Sequence, residues 1–102
     1  MSNPLLKGMR LVHPGELLRE DVLPAVGRPK SEIARLLGIS RQTLYDILNE
    51  KQPVTPQMAL RLARMFGGGA ESWLAMQRAY DLKLAERELE GELEAIPRLE
   101  AA

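Results

Sequence analysis

Residues 41–49 read RQTLYDILN, and their side chains divide into two sets. Leu44, Ile47 and Leu48 recur at helical spacing, while Arg41, Gln42, Thr43, Tyr45, Asp46 and Asn49 fall off that stripe. Amide and guanidinium groups grouped along one side of a short helix suit paired hydrogen bonds to base edges, Gln or Asn to adenine and Arg to guanine. Gln42 and Thr43, early in the helix, reach such edges most readily; Arg41 and Tyr45 serve either bases or backbone. Lys30, Ser31, Ser40 and Lys51 stand at helix ends or in loops, where hydroxyl, ammonium and unpaired backbone N–H groups meet phosphate. Any surface helix has a polar face, so this one gains its weight from what precedes it.

What precedes it is a second short helix and a tight turn. In KSEIARLLGISRQTLYDILN, residues 30–49, Ser31 is a candidate cap for the first helix and Ser40 for the second. Gly38 stops the first helix in the left-handed conformation that glycine adopts without steric cost. Ala34 is small where the two helices cross, and Ile33, Leu37, Ile39, Leu44 and Ile47 fill the angle between them. The pattern predicts a helix-turn-helix whose second helix stands proud enough to enter a major groove.

Three more helices support it, and strand signals are lacking, so the fold class is all-α. The first begins near His13-Pro14, with Leu17, Leu18 and Val22 inward, and Pro24 is expected to end it. Thr55-Pro56 starts the fourth, with Ala59, Leu62, Ala63 and Phe66 at i, i+3, i+4 and i+7. Gly67, Gly68 and Gly69 break it. The fifth runs from about Glu71 toward Glu90 with Trp73, Met76, Tyr80 and Leu84 on one stripe. That stripe reads as core, or in part as a dimer seam extended by Leu82, Leu89 and Leu93. The expected organisation is an N-terminal arm over 1–12, a DNA-binding domain over 13–90 and a flexible acidic tail over 91–102.

The 102 residues carry 14 basic and 14 acidic side chains, but unevenly. Between 28 and 65, Arg28, Lys30, Arg35, Arg41, Lys51, Arg61 and Arg64 face only Glu32, Asp46 and Glu50. From 66 onward the balance reverses, with eight acids against four bases. A basic middle joined to an acidic tail is the distribution of a nucleic-acid-binding head. Cysteine is absent, which excludes disulfides, thiolate metal sites and thiol nucleophiles. His13 is the sole histidine and has no second ligand or acid–base partner at useful spacing, so it reads as a helix cap. The glycine triplet lacks the Lys-Ser/Thr continuation of a phosphate loop and reads as a linker. Little remains from which to build a catalytic centre, and no cofactor or small-molecule substrate is expected. No apolar run near the start is long enough for a signal peptide or membrane span, so a cytoplasmic protein is expected.

The helix-turn-helix resembles that of phage-repressor-type (Cro/XRE) regulators. The wider run, from HPGELLREDVLP through SEIARLLGISRQTLYDILNEKQPVTPQMALRLARMFGGGAESWLAMQRAYDLKLAE, resembles the HigA or VapI-type antitoxins of toxin–antitoxin modules. Its most specific pieces are His13-Pro14-Gly15-Glu16, the helix start at Thr55, and Glu71–Tyr80 with Trp73, Leu74 and Gln77. The resemblance implies a compact five-helix, lambda-repressor-like domain that forms a homodimer on operator DNA and represses its own operon. It also implies a partner, a small basic HigB-type toxin of the messenger-RNA endonuclease class. A stand-alone regulator of the same fold is the alternative. One departure is the Gly67-Gly68-Gly69-Ala70 loop, where relatives place a Ser or Thr cap before the last helix.

Overall fold

In a computed structural model of the protein, which describes residues 10–100, five helices follow one another and no strand is present among the described residues. Most of the expected arm, residues 1–9, and the last two residues of the expected tail lie outside the described residues.

The first helix, α1, spans 14–26 as three continuous stretches, Pro14–Leu17, Leu18–Val22 and Leu23–Val26. His13 caps it by accepting the Gly15 N–H on Nδ1 at 2.9 Å. The expected stop at Pro24 is corrected: the helix passes through Pro24 and ends at Gly27, which is left-handed with φ 73°. A helical proline lacks an N–H and its ring collides with the carbonyl four residues back. Here the turn ahead of it is widened into π-helix, with the Leu23 N–H donating to the Leu18 carbonyl, and the wider turn relieves that clash.

Helix α2 covers Lys30–Leu37. Its cap is Pro29, not Ser31: the Pro29 carbonyl accepts from the N–H groups of Glu32 and Ile33, and Ser31 is the second helical residue, exposed. Gly38 ends α2 with φ 77°, and a Cβ there would sit 2.7 Å from Arg61 Nη1. Helix α3 is Arg41–Leu48, with Asn49 just past its end. Ser40 Oγ accepts the Thr43 N–H at 3.0 Å, as the cap position demands. Helix α4 is Pro56–Phe66, capped by Thr55 Oγ1 on the Met58 N–H.

Helix α5 is Ala70–Glu94 and starts after Gly69 without a side-chain cap. It continues through Gly91 to Glu94, so the expected helix end near Glu90 is corrected. Gly91 meets no neighbour within 4 Å, and one helical glycine lowers stability by only about 1 kcal/mol, too little to break a long helix.

All five helices contribute to one core of Leu18, Leu23, Ile33, Ala34, Leu37, Leu44, Ile47, Leu48, Val54, Met58, Ala59, Leu62 and Trp73. A close backbone approach joins α1 to α3: a Cβ on Gly15 would lie 1.8 Å from the Ile47 carbonyl oxygen. The His13 ring, 3% exposed, closes this corner and stands edge-on to Tyr80 of α5 with centroids 5.0 Å apart.

Two outcomes follow from that corner. Gly15→Ala is expected to lower unfolding free energy by about 3 kcal/mol, because backbone on both sides must shift; urea titration measures it. Burial holds the His13 imidazole below its usual pKa of 6.5, against the smaller opposing pull of Glu50 and Asp81. The unfolded chain therefore gains a proton that the folded chain resists. This contribution to stability is complete above about pH 6.5 and falls as pH drops from there toward the lower folded value. The urea midpoint should decrease on acidification through that window, and His13→Asn, which can still cap, should flatten this part of the profile.

Candidate nucleic-acid interface

Helix α3 buries Leu44, Ile47 and Leu48 at 2% exposure each and turns its other face to solvent. At about 100° per residue, Gln42 lies roughly 160° from the middle of that buried stripe, with Tyr45 and Asn49 beside it. Arg41, Gln42, Tyr45, Asn49 and Lys51 are exposed, as are Lys30, Ser31 and Ser40 at the two helix starts. Thr43 and Asp46 are half-buried and engaged within the helix. Thr43 Oγ1 accepts the Ser40 hydroxyl at 2.8 Å, and Asp46 Oδ1 accepts from Gln42 Nε2 at 2.8 Å. The bond to Asp46 fixes which way the Gln42 amide points. It leaves the amide oxygen and the second N–H of Gln42 directed outward, one acceptor beside one donor.

The acids of the basic middle segment are each tied to a neighbour. Glu32 bonds Arg28 at 2.6 Å, Glu50 lies 3.5 Å from Arg19, and Asp46 holds Gln42. Lys30, Arg41 and Lys51 form no ion pair among the described residues, so their charge faces solvent. The arrangement suits a polyanion that approaches along α3.

Three residues that sequence reasoning missed as positioning groups hold this helix in place. Arg19 of α1 donates from Nη1 to the Leu48 carbonyl at 2.5 Å, placing a cation on the C-terminal end of α3. The ion pair with Glu20 raises the Arg19 pKa further, so the charge is permanent. Arg61 of α4 donates to the Leu37 carbonyl at 2.6 Å and so closes the end of α2 at the turn. Gln77, buried in α5, accepts the Val54 N–H at 2.8 Å and donates to Asp81, stapling the loop after α3 to the last helix. Gln77 belongs to the stretch that carries the family resemblance. Arg19 and Arg61 bond backbone carbonyls 29 and 24 residues away, and no local pattern announces that.

The stripe expected as a dimer seam is divided. Trp73 is 8% exposed inside the chain's own core, Tyr80 packs on His13, and Met76 is half-buried. Of these four only Leu84, 37% exposed, presents a large free surface, whereas Leu82, Leu89 and Leu93 of the extended seam are all exposed. Among the described residues no cluster of His, Cys, Asp or Glu is grouped to hold a metal, and no helix is long and apolar enough to cross a membrane.

Two short helices set across a glycine turn, the second with a polar outward face, define a helix-turn-helix protein. The sequence pattern of the Helix-turn-helix family matches residues 18–74. Virulence-associated protein I of Dichelobacter nodosus is 46% identical over 89 residues, which cover 86% of this chain and 82% of that protein. Among solved structures, antitoxin GraA in complex with its operator superposes with a TM-score of 0.84 at 38% identity, covering 99% of both chains. Pseudomonas aeruginosa antitoxin HigA with the higBA promoter gives 0.82 at 32% identity, over 87% of this chain and 97% of that one. The chain belongs to the helix-turn-helix family, in its group of VapI-like and HigA/GraA-like proteins.

Arg19 tests how far α1 secures the reading helix. Arg19→Met keeps the aliphatic stem but abandons the Leu48 carbonyl, and is expected to cost about 1–2 kcal/mol in urea unfolding. Amide exchange should quicken first at Asn49 and Glu50, whose N–H groups close the end of α3.

Proposed function

We propose that the protein is an antitoxin that binds its own promoter as a homodimer, represses transcription there and neutralises a HigB-type toxin in the cytoplasm. The observation that carries the DNA reading is the outward face of α3, where Gln42, Tyr45 and Asn49 stand clear of the core beside exposed Arg41 and Lys51. The similarity to antitoxins solved on an operator and on a promoter supports it.

In this reading α3 enters the major groove. Gln42, its amide oriented by Asp46, offers the acceptor–donor pair that matches adenine N6 and N7. Arg41, Tyr45 and Asn49 flank it on base edges or the adjoining backbone, while Thr43 shapes the first turn with Ser40. Lys30, Ser31 and Lys51 contact phosphate, with the start of α2 adding its unbonded N–H groups. Asp46 acts through Gln42 and does not touch DNA. Two copies set their α3 helices in successive grooves, about 34 Å apart. Polymerase is then excluded from the promoter by occupancy alone, and no chemistry is required of the protein.

Fluorescence anisotropy on the upstream promoter, against a scrambled duplex and across a salt series, tests this. The promoter should be preferred by about a thousandfold, with affinity falling steeply as salt rises. Gln42→Ala should cost about 1–3 kcal/mol on the promoter and relax choice at one base position. Asp46→Ala should relax choice at the same position, with gentler loss of affinity. Lys51→Ala should weaken both duplexes alike and flatten the salt slope by about one unit. Equal weak binding of both duplexes by the unmodified protein would overturn operator recognition.

A further inference from the structure

Among the described residues Glu50 is the only one besides glycine with a positive φ, at 62°; the others are Gly27, Gly38, Gly67 and Gly68. It closes α3 in the way glycine usually does. Its N–H donates to the Ile47 carbonyl at 3.0 Å, and the left-handed turn brings the Lys51 N–H to the Asp46 carbonyl at 2.7 Å. Glycine takes this backbone without steric cost, whereas a side chain strains it. Such strain persists where the side chain itself is used.

The Glu50 carboxylate lies 3.5 Å from Arg19 Nη1, the same atom that donates to the Leu48 carbonyl at 2.5 Å. Glu20 accepts from Arg19 Nε at 2.9 Å, so the guanidinium is flanked by two acids. Glu20 is the neighbour of Arg19 on α1 and pairs with it without regard to α3; Glu50 comes from the end of the reading helix. The side chains of Arg19 and Glu50 remain 34% and 30% exposed. A pair this long and this wet adds little to stability, no more than the left-handed backbone removes. Stability therefore does not account for a glutamate here. Its position does: Glu50 stands between Asn49 and Lys51, at the edge of the face that α3 turns to solvent.

We infer that Glu50 is a specificity-determining residue, which holds Arg19 on the end of α3 and so denies that cation to phosphate. The inference rests on the proposed operator reading by α3. Arg19 cannot hold the Leu48 carbonyl and a phosphate together. A complex that reads bases needs α3 seated, and so needs Arg19 where it is. A sequence-blind complex needs only cations, and gains from an arginine that swings outward. Glu50 acts through Arg19 as a positioning group, penalising the unselective complex where Gln42 adds a contact to the selective one.

Fluorescence anisotropy on the promoter and a scrambled duplex, across a salt series, tests this with two variants. Glu50→Gln removes the charge and keeps the strained backbone; Glu50→Gly removes both. Each should tighten the scrambled duplex about fivefold and leave the promoter within about 1.5-fold, so that preference falls at least about threefold. The salt slope on the scrambled duplex should steepen by about one unit, the mark of one added phosphate contact. Glu50→Gly should also unfold at higher urea than the unmodified protein, while discriminating less. Adding Arg19→Gln, which removes that cation, should return the slope and the scrambled affinity to their original values. A preference unmoved in both variants overturns the inference, as does extra scrambled binding that survives Arg19→Gln. Lost preference in Glu50→Gly together with a lower urea midpoint makes the role of Glu50 merely structural, and overturns it too. An unmodified protein that binds both duplexes alike overturns operator recognition itself, whatever the variants do.

Discussion

The structure hangs on one close approach, the backbone of Gly15 against the Ile47 carbonyl. An eight-residue helix such as α3 has too few internal hydrogen bonds to persist alone. It must be held, and it can be held only where it does not read DNA. The first two turns of α1 do this at the far end: Gly15 admits the carbonyl, His13 fixes the turn that presents Gly15, and Arg19 takes the next carbonyl, that of Leu48. Gripped by its C-terminal end and its buried stripe, α3 leaves Arg41, Gln42 and Tyr45 open to solvent.

Charge is distributed by the same economy of position. A chain with no net charge acquires a basic face because Glu32, Asp46 and Glu50 are occupied by neighbouring side chains while, among the described residues, Lys30, Arg41 and Lys51 form no ion pair. The acids that balance the total lie mostly on α5, whose distal turns extend a molecule 55 Å in its longest dimension. Beyond one Debye length, about 8 Å at physiological salt, those acids are screened from a phosphate at α3.

Local signals were enough for the turn at Gly38 and the caps at Ser40 and Thr55, because each rests on residues within four positions of one another. The division of 41–49 into buried and outward sides was legible for the same reason. Pro24 misled because whether a proline ends a helix or widens a turn depends on the packing around it, here of Leu18 and Leu23. Ser31 misled because the preceding Pro29 already had the extended backbone of a cap. The last helix outruns its expected end near Glu90 because one glycine, Gly91, cannot outweigh the helix formers on both sides of it. Trp73 and Tyr80 showed a genuine stripe, but periodicity does not say whether the facing surface belongs to the same chain. Arg19 and Arg61 were invisible, since their partners are carbonyls more than twenty residues away.

The outward positions of α3 contribute almost nothing to the core. Gln42, Tyr45 and Asn49 can therefore be exchanged by mutation while Leu44, Ile47, Leu48 and the grip of α1 keep the helix where it is. Duplicated copies of such a gene are free to diverge in the sites they occupy before their stability is touched. A single genome can thus come to hold several repressors of one architecture that ignore one another's promoters, each separated from its sister by a few solvent-facing side chains.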